Sequence, residues 1–333
     1  MNANKLKWGI LGCAGIALKS VIPGVQESAW NEVTAIASRN SEKAAHAAKE
    51  HSIPQSYGSY EELLADPSID VVYIPLPNHL HYEWTIRAAE AGKHVLCEKP
   101  IALNAKEAAE MEEACAKAGV VLMEAFMYRC HPRYERIRGI IDSGEIGELR
   151  AIRSSFTFNN AEDKTNVRCR KEWGGGSIYD VGCYPVHAAR LLLGKEPEAV
   201  TVQAVFSPEH GDVDMMASGL MEFAGGVSLT FDCGMWAAFR NPLEVLGSEG
   251  IIEVPSAYVT NEPGSANFFV QARGERREIQ VPHVNSYTEQ ADRLYRAVAG
   301  LEPLPGGATD SVSNMKALEA CLRSAEERRR VVI

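Results

Sequence analysis

The sequence predicts an α/β protein of two domains, in which a doubly wound parallel sheet is followed by an α+β domain with a mainly antiparallel sheet. The chain has 333 residues, 46% of them hydrophobic, which is long for a single compact core. As far as about Val121, short apolar runs alternate with helical stretches, as in a parallel sheet that helices cover on both faces. Beyond Glu148 the strands become longer and alternate in polarity, which is typical of antiparallel strands.

The first domain is predicted at residues 1–124, where each element has its own signal. Apolar runs predict strands at Lys7–Leu11, Asn31–Ser38, Asp70–Ile74, His94–Cys97 and Val120–Glu124. Helical periodicity predicts helices at Ile16–Gln26, Ser41–His51, Tyr60–Ala65, Leu80–Ala91 and Asn104–Gly119. Because Asn104 suits an N-cap and Gly92 suits a helix end, the regular alternation of strand and helix indicates a doubly wound sheet.

The second domain is predicted at residues 125–333 and combines strands with helices. Strands are predicted at Glu148–Asn159, Ala199–Phe206, Asp214–Phe223, Val227–Met235, Leu243–Gly247 and Gly250–Val254. The Gly225–Gly226 pair predicts a hairpin, so we expect an antiparallel meander. A final amphipathic helix is predicted at 311–329, and its return onto the first domain is left open.

Composition narrows the classes of partner. The net charge of −10 disfavours nucleic acids and anionic membranes, although a local basic pocket can still hold a phosphate. The eight cysteines form no C-x-x-C pair, so we predict reduced thiols. No apolar stretch reaches membrane-spanning length and no signal-peptide core precedes the first strand, so we expect a cytoplasmic protein.

The segment Gly9–Ala17 follows the first predicted strand and begins the first helix, as in the dinucleotide-binding loop of a Rossmann domain. Backbone N–H groups at such a helix start can face a pyrophosphate. Ala14 stands where the second glycine of the motif belongs, so a tight turn without a ligand is the alternative. The residues expected to line the phosphates are Gly12, Cys13, Ala14, Gly15 and Ile16.

The end of the second strand indicates which dinucleotide is bound. An NAD enzyme usually has an acid here for the ribose hydroxyls, but this chain has Ser38-Arg39-Asn40, with Lys43 one turn later. A carboxylate would repel a 2′-phosphate, whereas a hydroxyl and a guanidinium can bind it. We therefore predict that Ser38, Arg39 and Lys43 bind NADP, with NAD as the second candidate. A solvated strand end with an ordinary arginine is the alternative.

The strand at 70–74 ends in Pro75-Leu76-Pro77-Asn78-His79-Leu80-His81, at the sheet edge where open α/β sheets bind ligands. We assign Pro75, Leu76, Asn78 and His81 to the cofactor site, although Asn78 suits a helix N-cap equally well. His79 and His81 lack a third ligand at suitable spacing, so no metal site is predicted.

The next strand delivers Cys97-Glu98-Lys99-Pro100 to the same edge. A lysine there can hydrogen-bond a substrate hydroxyl and stabilise negative charge that develops on its oxygen. Glu98 could orient Lys99, and both are also assigned to the cofactor site. A surface salt bridge at a strand end is the alternative.

The segment Glu124–Pro132 leads out of the last strand of the first domain. Arg129 is predicted beside the nicotinamide, while Phe126 and Tyr128 either cover the site or join the two domains. Trp173, at the start of the next motif, is also assigned to the cofactor.

The segment Gly174–His187 is predicted to bring three polar side chains together. If it is helical near Pro185, Asp180 lies near Tyr184, and Tyr184 shares a face with His187. A phenol must lose its proton to act as a base, and a nearby ammonium such as that of Lys99 favours the ionised form. A helix merely buried by its tyrosine is the alternative.

These motifs together closely resemble those of the glucose-fructose oxidoreductase/inositol dehydrogenase/rhizopine catabolism (Gfo/Idh/MocA) family, over nearly the whole chain. Tyr184 stands where the inositol dehydrogenase branch has a histidine, which is similar to the xylose dehydrogenase and dihydrodiol dehydrogenase branch. The resemblance implies catalysis by Lys99, Asp180 and Tyr184, with His187 as a substrate contact. It also implies a large open sheet in the second domain, which supports a homodimer or homotetramer.

The expected function is NADP-dependent hydride transfer between the nicotinamide and a hydroxyl or carbonyl carbon of a sugar, polyol or diol. The alternatives are a sugar oxidoreductase that keeps its cofactor tightly bound, a nucleotide-sugar ketoreductase, and an NADP-binding regulator without catalysis. Intact Lys99, Asp180 and Tyr184 disfavour the regulator.

Overall fold

The computed structural model describes residues 5–260, 262–304, 306–307 and 309–333, and the chain divides into two compact units. The first unit comprises Met1–Cys130 and Val284–Val312, and the second comprises His131–His283 and Ser313–Ile333. The sequence placed the domain boundary at 124/125, whereas the first unit runs on to Cys130 and includes a later segment. Residues 1–4, which we expected to lead directly into the first strand, lie outside the described residues.

The first unit is built on a parallel sheet, which has six strands in the described residues. They are β1 (Leu6–Leu11), β2 (Asn31–Ala37), β3 (Gln55–Tyr57), β4 (Val71–Ile74), β5 (His94–Cys97) and β6 (Leu122–Glu124). Their order in the sheet is β3-β2-β1-β4-β5-β6. The strand order therefore switches between β1 and β4, and ligands of such sheets bind outside the carboxyl ends of the strands at this point. The predicted doubly wound sheet is confirmed, and β3 extends it at one edge.

Helices surround this sheet, and further helices belong to the second unit. In the described chain they are α1 (Ile22–Glu27), α2 (Ser41–Glu50), α3 (Tyr60–Leu64), α4 (His81–Glu90), α5 (Ala105–Ala118), α6 (Arg133–Asp142), α7 (Cys183–Leu193), α8 (Ser286–Val298) and α9 (Asp310–Glu327). The side chain of Asn104 caps α5 by accepting a hydrogen bond from the Glu107 N–H, as its position predicted. A π-helical turn, Ala17–Val21, precedes α1.

Helix α8 belongs to the first unit although it lies far along the chain. Gly24 of α1 permits its close approach, since a Cβ there would lie only 2.6 Å from the Cβ of Tyr287. Asp292 accepts hydrogen bonds from the Ser28 hydroxyl at 2.5 Å and from the Asn31 amide at 3.1 Å. The sequence leaves the return of the last helix open; in the structure α8 returns, while most of α9 stays in the second unit.

The second unit contains a large sheet of ten strands among the described residues. They are β7 (Leu149–Asn159), β8 (Pro197–Ser207), β9 (Val213–Phe223), β10 (Val227–Gly234), β11 (Trp236–Arg240), β12 (Leu243–Gly247), β13 (Gly250–Val254), β14 (Phe268–Ala272), β15 (Glu275–Ile279) and β16 (Val331–Val332). Their order is β15-β14-β13-β12-β7-β10-β9-β8-β16, with β11 paired to β7. The predicted α/β protein with a large, mainly antiparallel second sheet is confirmed.

The predicted antiparallel meander is wrong at one pair of strands. β10 pairs with β9 in antiparallel register but with β7 in parallel register. The long connection from β7 to β8 contains α7, and a crossover of this length allows strands to run parallel, whereas a tight hairpin does not. One face of the sheet is covered and the other is exposed, because exposed Thr201 and Gln203 alternate with buried Val200 and Val202 on β8.

Candidate functional site

The predicted phosphate-binding loop follows β1 in the first unit. Gly12 has a φ of +110°, which favours glycine, and its N–H donates to the Ala37 carbonyl at 2.8 Å. A Cβ at Gly12 would approach the Leu76 side chain to 3.1 Å, whereas a Cβ at Gly15 would meet nothing within 4 Å. Cys13 and Ala14 are half-buried, and Gly15 and Ile16 are exposed at the helix start. The exposed helix start at Gly15 and Ile16 fits a site where backbone N–H groups face a pyrophosphate.

Of the predicted 2′-phosphate residues, Ser38 and Arg39 follow the end of β2, and Lys43 lies in the first turn of α2, close to this loop. The Cys13 thiol is 3.9 Å from the Lys43 carbonyl, and burial raises the pKa of Cys13 while the Lys43 charge lowers it. The Ser38 hydroxyl is buried and accepts a hydrogen bond from the Asn40 N–H at 3.2 Å. Arg39 and Lys43 are both exposed. Two cations and a hydroxyl thus lie within reach of the phosphate loop.

Tyr60 is a site residue that the sequence analysis missed. Burial raises its pKa, and the neighbouring Arg39 guanidinium lowers it. Its hydroxyl would lie 3.6 Å from a Cβ at Gly12. The phenol therefore lies between the phosphate loop and Arg39. A tyrosine at the start of a short helix gave no sequence signal for this contact.

The loop after β4 contains the predicted cofactor residues Pro75, Leu76 and Asn78. Pro75 and Leu76 are buried, and Asn78 is half-buried at the start of a short 3₁₀ turn that leads into α4. Leu76 packs toward Gly12 of the phosphate loop. These placements keep all three residues as candidates for cofactor contact.

His81 differs from the prediction, which assigned it to the cofactor. Its side chain is fully buried, and its ring nitrogens lie 2.9 Å from the Pro100 carbonyl and 2.8 Å from the Leu76 carbonyl. Burial lowers the pKa of His81 to about 4, against the two carbonyls, which raise it. Because both nitrogens face the backbone and no part of the ring is exposed, we correct its role from ligand contact to support of two loops.

Glu98 and Lys99 lie at the carboxyl end of β5, and both are half-buried. The Tyr73 hydroxyl donates to Glu98 Oε1 at 2.5 Å, and burial together with the Glu98 charge raises the pKa of Tyr73 well above its usual value. Glu98 Oε2 accepts a hydrogen bond from the backbone N–H of Lys99 at 3.3 Å. Burial raises the pKa of Tyr287, and the charge of Lys99 is near enough to oppose this rise. Glu98 is therefore held by Tyr73, a buried partner that the sequence analysis missed.

Arg129 lies inside the first unit, and its side chain is only 4% exposed. It pairs with Asp310 at 2.8 Å and donates to the Glu124 carbonyl at 3.3 Å. Phe126 and Tyr128 are also buried and pack edge to face, 6.0 Å apart. Arg129 is thus held by a buried ion pair, and its place beside the nicotinamide stays a prediction.

The second unit carries the other predicted catalytic residues on one continuous segment. A π-helical turn, Ile178–Gly182, contains Asp180 and runs into α7, which contains Tyr184 and His187. The ring of Tyr184 packs 5.1 Å from Phe156 and 5.2 Å from Tyr258, between ring centroids. The helical turn expected around 180–187 is therefore present, and His187 is almost fully buried within it.

Two residues that the sequence analysis missed support this segment. Arg168 Nε donates to Asp180 Oδ2 at 2.6 Å, with side-chain exposures of 41% and 14%. Asp214 Oδ2 accepts from the Ser177 hydroxyl and from the Ile178 N–H, both at 2.7 Å. Burial raises the pKa of Asp214 to about 6. Trp173, predicted at the cofactor, is half-buried and ends the short turn before Gly174.

Two other kinds of site are absent from the described residues. Within the described ranges no group of three or more His, Cys, Asp or Glu side chains is arranged to hold a metal ion. No described helix is long and apolar enough to span a bilayer.

The switch-point crevice, the glycine loop and Lys99 at a neighbouring strand end define the first unit as the dinucleotide domain of an oxidoreductase. Residues 6–126 match the model of the oxidoreductase family with an NAD-binding Rossmann fold, and residues 134–253 match the GFO/IDH/MocA C-terminal domain. The chain belongs to the GFO/IDH/MocA oxidoreductase family, as its motifs indicated.

Similar proteins include enzymes that act on sugars. D-xylose 1-dehydrogenase (NADP(+)) 2 of Haloferax volcanii is 40% identical, over 96% of this chain and 98% of its own length. The aldose-aldose oxidoreductase of Caulobacter crescentus, solved with glycerol, has a TM-score of 0.92 and 28% identity, over 99% of this chain and 100% of its own. A 3-ketoreductase of Actinomadura kijaniata, solved with NADP and TDP-benzene, has a TM-score of 0.89 and 29% identity, over 96% and 98% of the two chains.

Proposed function

We propose that this protein is an NADP-dependent dehydrogenase or reductase of a sugar, polyol or diol. The single observation that carries the choice of NADP is the end of β2, where Ser38, Arg39 and Lys43 take the place of the acid expected for NAD. The xylose dehydrogenase is NADP-dependent by name, and the 3-ketoreductase was solved with NADP, which supports the same choice.

The residues of the first unit fit this cofactor. Gly12 and Gly15 leave room for the pyrophosphate, and the guanidinium of Arg39 can bind the 2′-phosphate with charge assistance. Leu76, packed toward Gly12, would contact the dinucleotide from the loop after β4. When bound, the nicotinamide supplies the hydride acceptor or donor.

The remaining chemistry is assigned to side chains of this chain. Tyr184 accepts the proton of the substrate hydroxyl, or returns it in the reverse direction. Lys99 donates a hydrogen bond to the same oxygen and stabilises the negative charge that develops there. Asp180, paired with the guanidinium of Arg168, accepts hydrogen bonds from substrate hydroxyls. His187 supports the substrate side from the same helix.

A panel of aldoses, polyols, diols and their keto forms tests this proposal. Each compound is mixed with NADP or NADPH, and the reduced-nicotinamide absorbance is followed. Turnover with at least one class supports the proposal. Tight NADPH binding without turnover of any compound would favour a non-catalytic regulator instead.

A second candidate follows from the similarity to the aldose-aldose oxidoreductase. In such a cycle the cofactor stays bound, and one sugar is oxidised while another is reduced. Dialysis distinguishes the two candidates, because nucleotide absorbance that remains with the protein after extensive dialysis favours the bound-cofactor cycle.

The assembly and compartment are part of the proposal. We propose a homodimer or homotetramer through the exposed face of the large sheet, where Val205 and Leu220 are 48% and 43% exposed on neighbouring strands. The cytoplasmic location expected from the sequence is retained, since all eight cysteines lie in the described chain as free thiols.

A further inference from the structure

The peptide group between Pro100 and Ile101 is held at both of its polar atoms by buried side chains. Its carbonyl oxygen, from Pro100, lies 2.9 Å from Nδ1 of His81. Its N–H, from Ile101, donates to Oε1 of Glu124 at 2.9 Å. Lys99 lies one residue before this group. Because both ends of the peptide are bound, its plane cannot rotate without breaking a buried hydrogen bond.

The two side chains reach this peptide from different elements. His81 is the first residue of α4, and Glu124 is the last residue of β6. Both side chains are almost completely buried, so solvent cannot replace either hydrogen bond. The Lys99–Ile101 turn is thus tied to a helix and to the neighbouring strand at once.

The second ring nitrogen of His81 connects this turn to the cofactor loop. Nε2 lies 2.8 Å from the carbonyl of Leu76, whose side chain packs toward Gly12. One imidazole therefore lies between the strand end that carries Lys99 and the loop that packs on the phosphate-binding turn, and in its neutral form it can donate to only one of the two carbonyls.

We propose that His81 is a positioning residue: its neutral ring carries one N–H, on Nδ1, and by donating it to the Pro100 carbonyl it fixes the Pro100–Ile101 peptide and the place of Lys99. The catalytic half of this inference rests on the proposed function, since it assumes that Lys99 contacts the reacting oxygen. The structural half depends only on the contacts of the first unit.

Two amide substitutions identify the carbonyl that accepts the hydrogen bond. The amide nitrogen of Asn lies near the place of Nδ1 and can donate to Pro100, whereas that of Gln reaches the place of Nε2 and can donate to Leu76. His81→Phe keeps a ring but removes the hydrogen bond. The measurements are hydrogen exchange at the Ile101 amide, kcat at saturating substrate, and the NADPH Kd from nicotinamide fluorescence.

For His81→Gln we expect faster exchange at Ile101 and a kcat about tenfold lower, as for one lost buried hydrogen bond, with the NADPH Kd within about twofold of wild type. For His81→Asn we expect exchange, kcat and the NADPH Kd near wild type, because its amide can keep the hydrogen bond to Pro100. His81→Phe, if it folds, shows the same losses as His81→Gln.

Equal effects of Asn and Gln on exchange, or wild-type exchange in both, would overturn the proposal. Lys99→Met separates this failure from that of the proposed function. If Lys99→Met keeps full turnover, while His81→Gln accelerates exchange at Ile101 and His81→Asn does not, the positioning role of His81 stands and the catalytic role of Lys99 does not. A role in stability alone would lower the unfolding midpoint of both variants without lowering kcat in His81→Gln alone.

Discussion

Replacing Glu124 by Gln tests the buried carboxyl that holds the Ile101 N–H. Burial raises the pKa of Glu124 to about 8, although the Arg129 charge lowers it. In the unfolded chain the carboxyl has an ordinary value of about 4.3. Between these two values the folded state binds a proton that the unfolded state has lost, so the free energy of unfolding falls as pH rises, by up to about 1.4 kcal/mol per pH unit. Gln keeps the acceptor oxygen and does not titrate.

The assay is urea unfolding of both proteins at several values from about pH 5 to about pH 9, the window that these pKa values define. We expect Glu124→Gln to gain stability over wild type as pH rises to about 8, and the gap to stay constant above it. Glu112, whose pKa burial raises to about 7, is present in both proteins, and its contribution largely cancels in the difference. A gap that does not change with pH would refute the assignment of a neutral Glu124 in the folded state.

Three further predictions address the cofactor, the substrate and the assembly. Arg39→Asp should shift the ratio of NAD to NADP affinities at least about tenfold toward NAD, because a charge-assisted hydrogen bond to the 2′-phosphate becomes a repulsion. An unchanged ratio of the two Kd values would contradict the assignment. Arg168→Met should raise the substrate KM about tenfold, with a smaller effect on the NADPH Kd. Arg168→Lys should raise the KM less, because it keeps the charge beside Asp180. Leu220→Glu should lower the mass measured by light scattering toward that of a monomer, and an unaltered mass would show that this sheet face is not the interface.

Much of the fold followed from apolar periodicity. The strands predicted at His94–Cys97 and Gly250–Val254 coincide with β5 and β13, because buried central strands have clear apolar patterns. β3 was missed, since Gln55–Tyr57 is short and partly exposed and has no such pattern. The position of α8 beside α1 depends on contacts between residues more than 250 positions apart, such as Ser28 and Asp292. Periodicity carries no information about such contacts.

The sequence predicted those parts of the candidate site whose residues belong to a short local motif. The glycine loop, Lys99 and the Asp180–Tyr184 segment lie on the expected elements, because strand ends and helical spacing fix their places. The role of His81 could not be predicted, since a histidine that binds a ligand and one that binds two carbonyls look alike in sequence. Arg168 was missed for a related reason, as its partner lies twelve positions away across an irregular loop.

The most direct test of the central claim is single-turnover absorbance of bound NADPH in wild type, Lys99→Met and Tyr184→Phe. NADPH binding, measured by fluorescence in the same samples, is the control that each variant is folded and loaded. The account predicts NADPH affinities near wild type and a turnover rate at least about a hundredfold lower in Tyr184→Phe, as for a lost general base, with a comparable loss in Lys99→Met. Turnover within a few-fold of wild type in both variants would contradict it.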